Sequence, residues 1–139
     1  MIILDTNVIS EPMRALADPV VLAWLDRQDA DTLYLTAVNL SELLFGIETR
    51  PAGRRKKGRS AAMQQLLENL FGPRCLPFDR DAAVAYATLV SRATAKGQSI
   101  SVADGQIAAI AAVHGFTVAT RDTKPFRAAG IPVINPWQS

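Results

Sequence analysis

Four acidic side chains stand beside apolar segments in places where chemistry could use them: Asp5, Glu42, Asp104 and Asp122. Asp5 ends the run Met1-Ile2-Ile3-Leu4 and is followed by Thr6 and Asn7, and Asp122 closes Phe116-Thr117-Val118-Ala119-Thr120-Arg121 in the same manner. A short, unbroken apolar run reads as a strand covered on both faces, and ligands of open parallel sheets sit beyond the carboxyl ends of such strands. Three of the acids also have a plainer explanation. Asp5, Thr6 and Asn7 all suit a helix start. Ser101-Val102-Ala103-Asp104 fits the pattern [ST]-x-x-[DE] that opens a helix. Glu42, one turn from Val38 and from Phe45, reads either as an exposed residue at the edge of an apolar stripe or as a partly buried one.

Gathered on one rim, these carboxylates could not all remain charged unaided. Two unit charges about 4 Å apart repel by roughly 4 kcal/mol at an effective dielectric near 20, so either some are protonated or a divalent cation sits among them. An all-oxygen donor set favours a hard ion, Mg²⁺ or Mn²⁺, over zinc. Such an ion lowers the pKa of its water and offsets charge developing on a phosphoryl group.

Composition removes the main competitors. The chain has one histidine, His114, placed before Gly115 where an imidazole can bond the last carbonyls of a helix. Its one cysteine, Cys75, can form neither an internal disulfide nor a thiolate zinc cluster. A Ser-His-Asp or Cys-His enzyme is therefore disfavoured. The formal charge of +2 conceals an asymmetry, because six of the fifteen Lys and Arg lie between Arg50 and Arg59 with no acid among them, which leaves the remainder at −4. Arg54, Arg55, Lys56, Lys57 and Arg59 are either a solvated helix start or a contact for a phosphate backbone. Carboxylates, a hard metal and a separate basic segment together point to phosphodiester hydrolysis.

The elements that must position these residues alternate between strand and helix. Strands are expected at Ile2 to Leu4, Leu33 to Leu35, Cys75 to Phe78, Phe116 to Thr120 and Gly130 to Ile134. Between them the pattern predicts a helix from Pro19 to Gln28 with Val20, Trp24 and Leu25 inward, and one capped by Thr36 running to Thr49 with Val38, Leu43, Phe45 and Ile47 inward. A further helix with Ala62, Leu66, Leu67 and Leu70 on its inner side ends at Gly72-Pro73, and is expected to form an arm with the helix before it. Asp79 opens a helix to about Ala95, and the segment behind Asp104 is nearly all small or aliphatic, as close burial on a sheet requires. The whole is expected to be one α/β domain over residues 1–139, with a central, mostly parallel sheet, helices on both faces and right-handed crossovers. No segment approaches a membrane span, and no basic region precedes the first apolar run, so a cytoplasmic protein is expected.

Leu4-Asp5-Thr6-Asn7, Ser41-Glu42-Leu43 with Gly46, Ala103-Asp104-Gly105-Gln106-Ile107-Ala108-Ala109, Thr120-Arg121-Asp122 and Ile134-Asn135-Pro136-Trp137 follow one another along the chain. In type and order they resemble the PIN domain of VapC-type toxins from type II toxin–antitoxin systems, particularly the FitB-like branch. The resemblance implies a Mg²⁺-dependent endoribonuclease, with Mn²⁺ as a substitute, in which Asp5, Glu42, Asp104 and Asp122 bind metal and a metal-activated water hydrolyses RNA. It implies that Asn7 and Thr120 orient the carboxylates from behind. It implies a homodimer neutralised by a cognate antitoxin, in some cases within a larger hetero-oligomer. Many relatives carry a further acid three residues beyond Asp122, where this chain has Pro125, which leaves the fourth acidic role to Asp122 alone.

Two other classes compete. An Asp-based phosphoryl-transfer domain of dehalogenase-like or receiver-like type would also gather acids on one rim, with Lys124 available as a receiver-type lysine. Against it, Asn7 replaces the second acid of a dehalogenase, and no middle strand ends in an acceptor Asp. A non-catalytic RNA- or protein-binding module would use the acids as caps and the basic segment for binding.

Overall fold

A computed structural model describes the backbone of residues 1–49 and 54–139 and the side chains of residues 1–49 and 60–139. Five strands, β1 (Ile2–Leu4), β2 (Leu33–Thr36), β3 (Cys75–Leu76), β4 (Thr117–Ala119) and β5 (Val133–Ile134), form one sheet in the order β3-β2-β1-β4-β5. Every pairing is parallel, with Ile3 opposite Tyr34 on one side and Val118 on the other. The chain builds outward from β1 to β3, then crosses back to place β4 against the free side of β1. The strand order thus reverses between β1 and β4, the switch point where open α/β sheets bind ligands.

Successive strand residues face opposite sides, and both sides are covered. Ile3 and Val118 join Ile107, Ala108, Ile110 and Phe126 beneath α5 (Arg80–Ala95), α6 (Val102–His114) and α7 (Lys124–Ala128). Leu4, Ala119 and Leu35 join Val8, Trp24, Leu43, Leu67 and Phe71 beneath α1 (Thr6–Ser10), α2 (Pro19–Asp26), α3 (Ala37–Glu48) and α4 (Arg54–Phe71). This explains the unbroken apolar strands.

The expected helices form, with Trp24, Leu43, Ile47 and Leu67 buried as expected, but some of the residues expected beside them are not. On α2 the buried residues are Val21 and Trp24, and Val20 is exposed. On α3 the inner stripe is Asn39, Leu43 and Ile47, spaced by four, and Phe45 stands 70% exposed; it lies two residues from Leu43, about 200° round the helix at 100° per residue. On α4 the buried residues are Leu67 and Phe71 with Met63 packed beside them, whereas Leu66 and Leu70 are largely exposed and Ala62 is exposed. The α3–α4 pair packs together, and the second half of α4 is seated on the sheet through Leu67 and Phe71. Arg54, Arg55, Lys56, Lys57 and Arg59 fall in the first turns of α4, where their side chains lie outside the described set.

Candidate active site

Asp5 leaves β1 with its amide still donating to the Ala119 carbonyl at 2.9 Å, so the ladder to β4 fixes its backbone. Its side chain caps α1 and is only 7% exposed. Oδ1 accepts from the Thr6 amide at 2.8 Å and from Asn39 Nδ2 at 3.2 Å, and Oδ2 accepts from Thr120 Oγ1 at 2.8 Å. Burial pushes this carboxyl above the usual range; the bonds from Thr120, Thr6 and Asn39 pull it back, and the nearby Asp122 raises it again. Both proposed roles of Asp5 are therefore compatible, since the cap uses one oxygen and leaves the carboxylate at the strand end. Its donors hold the charged form without supplying a positive charge.

The other acids reach the same place from three elements. Glu42 is exposed on α3, and its Oε1 accepts from Thr6 Oγ1 at 3.0 Å. Partial burial raises its carboxyl, the Thr6 hydroxyl opposes this, and Asp5 and Asp104 raise it further. Asp104 sits in the first turn of α6, its amide donating to Ser101 Oγ at 3.1 Å, which is the capping arrangement the sequence suggests. Burial raises Asp104, against the Ser101 hydroxyl, and the charges of Asp5 and Asp122 add to the rise. Asp122 is exposed just past β4, its amide donating to Thr120 Oγ1 at 3.1 Å. Each of the four thus feels or exerts the charge of another.

No three His, Cys, Asp or Glu side chains converge closely enough to enclose an ion among the described residues. A hard divalent cation does not need such a cage, because Mg²⁺ is held by one or two carboxylates and keeps waters or substrate phosphates as its other ligands. Oxygen donors that raise one another's proton affinity suit a cation well, since it relieves the repulsion that protons otherwise relieve. The residues fit a hard cation.

The two residues expected to orient the acids behave differently. Thr120 is fully buried and bridges Asp5 and the Asp122 amide. Asn7 bonds no carboxylate; its Oδ1 accepts from the Arg121 amide at 3.4 Å and so ties α1 to the loop after β4. The orienting role falls instead to Asn39, a fully buried residue absent from the sequence-derived set. Its Nδ2 serves both Asp5 and Thr6, and its Oδ1 accepts from Thr36 Oγ1 at 2.6 Å in a reciprocal cap of α3. A sign was present in the sequence: Asn39 shares a four-residue spacing with Leu43 and Ile47.

Glu11, also unremarked in the sequence, is 3% exposed and accepts from the Asp18 amide and from Arg14 at 3.1 Å each. Burial pushes its carboxyl up, but these donors outweigh it and leave it below the ordinary range. It fastens the first turn of α2 and takes no part in the cluster. His114 lies at the far end of α6, ten residues from Asp104 or about 15 Å along the axis. Cys75 is a half-buried strand residue whose thiol burial pushes up.

The sequence matches the family model of the PIN domain over residues 2–131. The chain belongs to the PIN domain family. Among curated relatives it is 52% identical over 139 residues to VapC ribonuclease Y4jK of Sinorhizobium fredii, covering 99% of each chain. It is 45% identical over 137 residues to toxin FitB of Neisseria gonorrhoeae, again covering 99% of each. The PIN fold described above superposes on the crystal structure of FitAcB from Neisseria gonorrhoeae with a TM-score of 0.95 at 45% identity, covering all of both chains. The parallel α/β architecture and the family resemblance are thus borne out together.

Proposed function

We propose that this protein is a divalent-metal-dependent endoribonuclease, the toxin of a toxin–antitoxin pair, built as one PIN domain over residues 1–139. The carrying observation is Asp5, buried at the end of the central strand, held by three neutral donors, and close enough to Glu42, Asp104 and Asp122 to share a mutual charge repulsion with them. Such an arrangement costs stability unless a cation offsets it, which argues against a module that uses the acids only as caps. Similarity to a chain named a ribonuclease and to one named a toxin supports the substrate and the biological role.

Asp5 and Asp104 are the proposed principal metal ligands, with Glu42 and Asp122 completing the acidic ring. Mg²⁺ bound there, or Mn²⁺ in its place, would supply a water of lowered pKa and offset charge on the phosphoryl oxygens. Thr120 and Asn39 hold Asp5 in one orientation, and the Thr6 hydroxyl couples it to Glu42. The basic residues Arg54, Arg55, Lys56, Lys57 and Arg59 are proposed to contact the RNA backbone. Met13, Leu66 and Leu70 leave apolar surface exposed around one shared cavity, which suits a protein partner; we assign it to the antitoxin, and homodimer formation belongs to the same proposal. No described helix is long and apolar enough to cross a membrane, in keeping with a cytoplasmic site of action.

Asp5→Asn and Asp104→Asn are expected to reduce Mg²⁺-dependent RNA cleavage by on the order of a hundredfold or more, each decade corresponding to about 1.4 kcal/mol of barrier. Gel assays on purified, folded variants test this. Parental cleavage rates in both would refute the assignment.

A further inference from the structure

A cavity of about 480 Å³ opens directly off the acidic cluster, with Asp104 and Asp122 in its wall. The rest of its lining comes from the α5–α6 connection and the start of α7, notably Gln98, Ser99, Ser101 and Lys124. Its volume falls within the roughly 300–1,000 Å³ of small-ligand sites. None of its lining residues is aromatic, so a base entering it meets hydrogen-bonding groups and has no ring to stack on.

Charge separates this cavity from another that is lined by Glu42. That second cavity, about 380 Å³ and bounded by Thr6, Ser10 and Glu42, has Arg14 as its cation, and Arg14 is already bound to Glu11 at 3.1 Å. Lys124 is exposed and makes no ion pair among the described residues, which include every acid of the chain. An ammonium held near two acids that would carry a cation is well placed for the phosphate next to the one being cut, since it does not compete for the scissile group. Gln98 and Ser99, both exposed, offer donors and acceptors to a base edge.

We propose that this cavity is a nucleotide subsite for single-stranded RNA, in which Lys124 grips the phosphate adjacent to the scissile one and Gln98 and Ser99 read the base between them. The proposal rests on the ribonuclease reading and adds to it the residues that set cleavage preference. Hydrogen-bonding sites discriminate strongly, because the wrong base leaves a polar group unpaired. Preference at one position beside the cut should therefore depend on Gln98.

The test compares the parent chain with Lys124→Ala, Gln98→Ala and a charge control, Arg27→Ala, at the exposed end of α2. Binding of a short fluorescent single-stranded RNA is followed by anisotropy over a series of salt concentrations, with Ca²⁺ in place of Mg²⁺ and the RNA checked for integrity. Cleavage of a randomised RNA pool in Mg²⁺ is read by sequencing the cut ends. Lys124→Ala should weaken binding roughly tenfold at low salt and make the slope of log K against log salt shallower by about 0.7, the loss of one phosphate contact on a single strand. Gln98→Ala should flatten the nucleotide preference at one position beside the cut, and Arg27→Ala should match the parent in both assays. A parental salt slope in Lys124→Ala, or a parental cut-site profile in Gln98→Ala, overturns the proposal. A parent that binds RNA but cuts none overturns the ribonuclease reading alone; the subsite is then decided by the salt slope and by Gln98→Ala binding to RNAs differing at one base.

Discussion

Neutral residues govern the orientation of Asp5. Thr120, itself fully buried, supplies through Oγ1 the one donor to Asp5 Oδ2 among the described residues and also accepts from the Asp122 amide. Thr120→Val keeps the shape and removes both bonds, so divalent-metal affinity or cleavage rate should fall roughly 10–100-fold, as measured by calorimetric titration of Mg²⁺ or Mn²⁺ and by single-turnover cleavage. Unchanged affinity and rate would show that Thr120 serves packing alone. Asn39→Ala strips donors from Asp5 and Thr6 together with the Oδ1 that accepts from the Thr36 amide and hydroxyl in the cap of α3, and should lower stability by about 1–3 kcal/mol in denaturant titrations. The acids themselves were legible in the sequence because strand ends and helix starts are local features. Asn39 was not, because its partner lies 34 residues away and its inward orientation depends on how α3 packs.

Periodicity specified which segments become helices better than it specified how they are rotated. Val20 rather than Val21, Phe45 as an inner residue and Leu66 with Leu70 on the buried side were all expected from apolar character and are exposed, although Trp24, Leu43, Ile47 and Leu67 on the same helices are buried as expected. An apolar side chain can remain exposed without forbidding a helix, so the sequence pattern alone tolerates either rotation. The α6 helix is the exception, since its run of small and aliphatic residues permits only close approach. Gly105 marks the closest point: a Cβ there would stand 2.7 Å from Tyr86 Cε2 and 3.0 Å from Val90 Cγ2 on α5. Gly105 follows Asp104, so any widening between the two helices moves a member of the acidic cluster. Gly105→Ala, although it favours helix locally, should destabilise by about 1–3 kcal/mol through overpacking and reduce cleavage beyond what stability explains. A thermal melt paired with single-turnover rates separates the two effects; a more stable variant of parental activity would show that Tyr86 yields freely.

At the scale of the whole molecule, placing the acids on the switch point of the sheet makes stability depend on protons and metal together. Asp5, Glu42 and Asp104 all have carboxyls raised by burial and by their neighbours' charges. The folded protein therefore holds these protons more tightly than the unfolded chain does. Stability from these groups is fully present below the ordinary carboxylate range and is lost as pH rises through their raised values. Glu11 works in the opposite sense, because its lowered carboxyl contributes stability above the ordinary range that is lost as pH falls through its own value. A divalent cation binds the deprotonated cluster only, so it should restore at neutral pH what proton loss removes. Mg²⁺ at a hundredfold excess over its Kd should add about 2.7 kcal/mol, or roughly 5–10 °C in Tm, at about pH 8. The gain should shrink markedly at about pH 5, where protons compete for the same oxygens. In Asp5→Asn it should be largely lost at both pH values, whereas Glu11→Gln should retain the Mg²⁺ gain while flattening the acid side of the metal-free profile. Melting curves with Mg²⁺ and with chelator across that range decide the matter. An equal gain at both pH values, or a gain undiminished in Asp5→Asn, would place the cation somewhere other than this cluster.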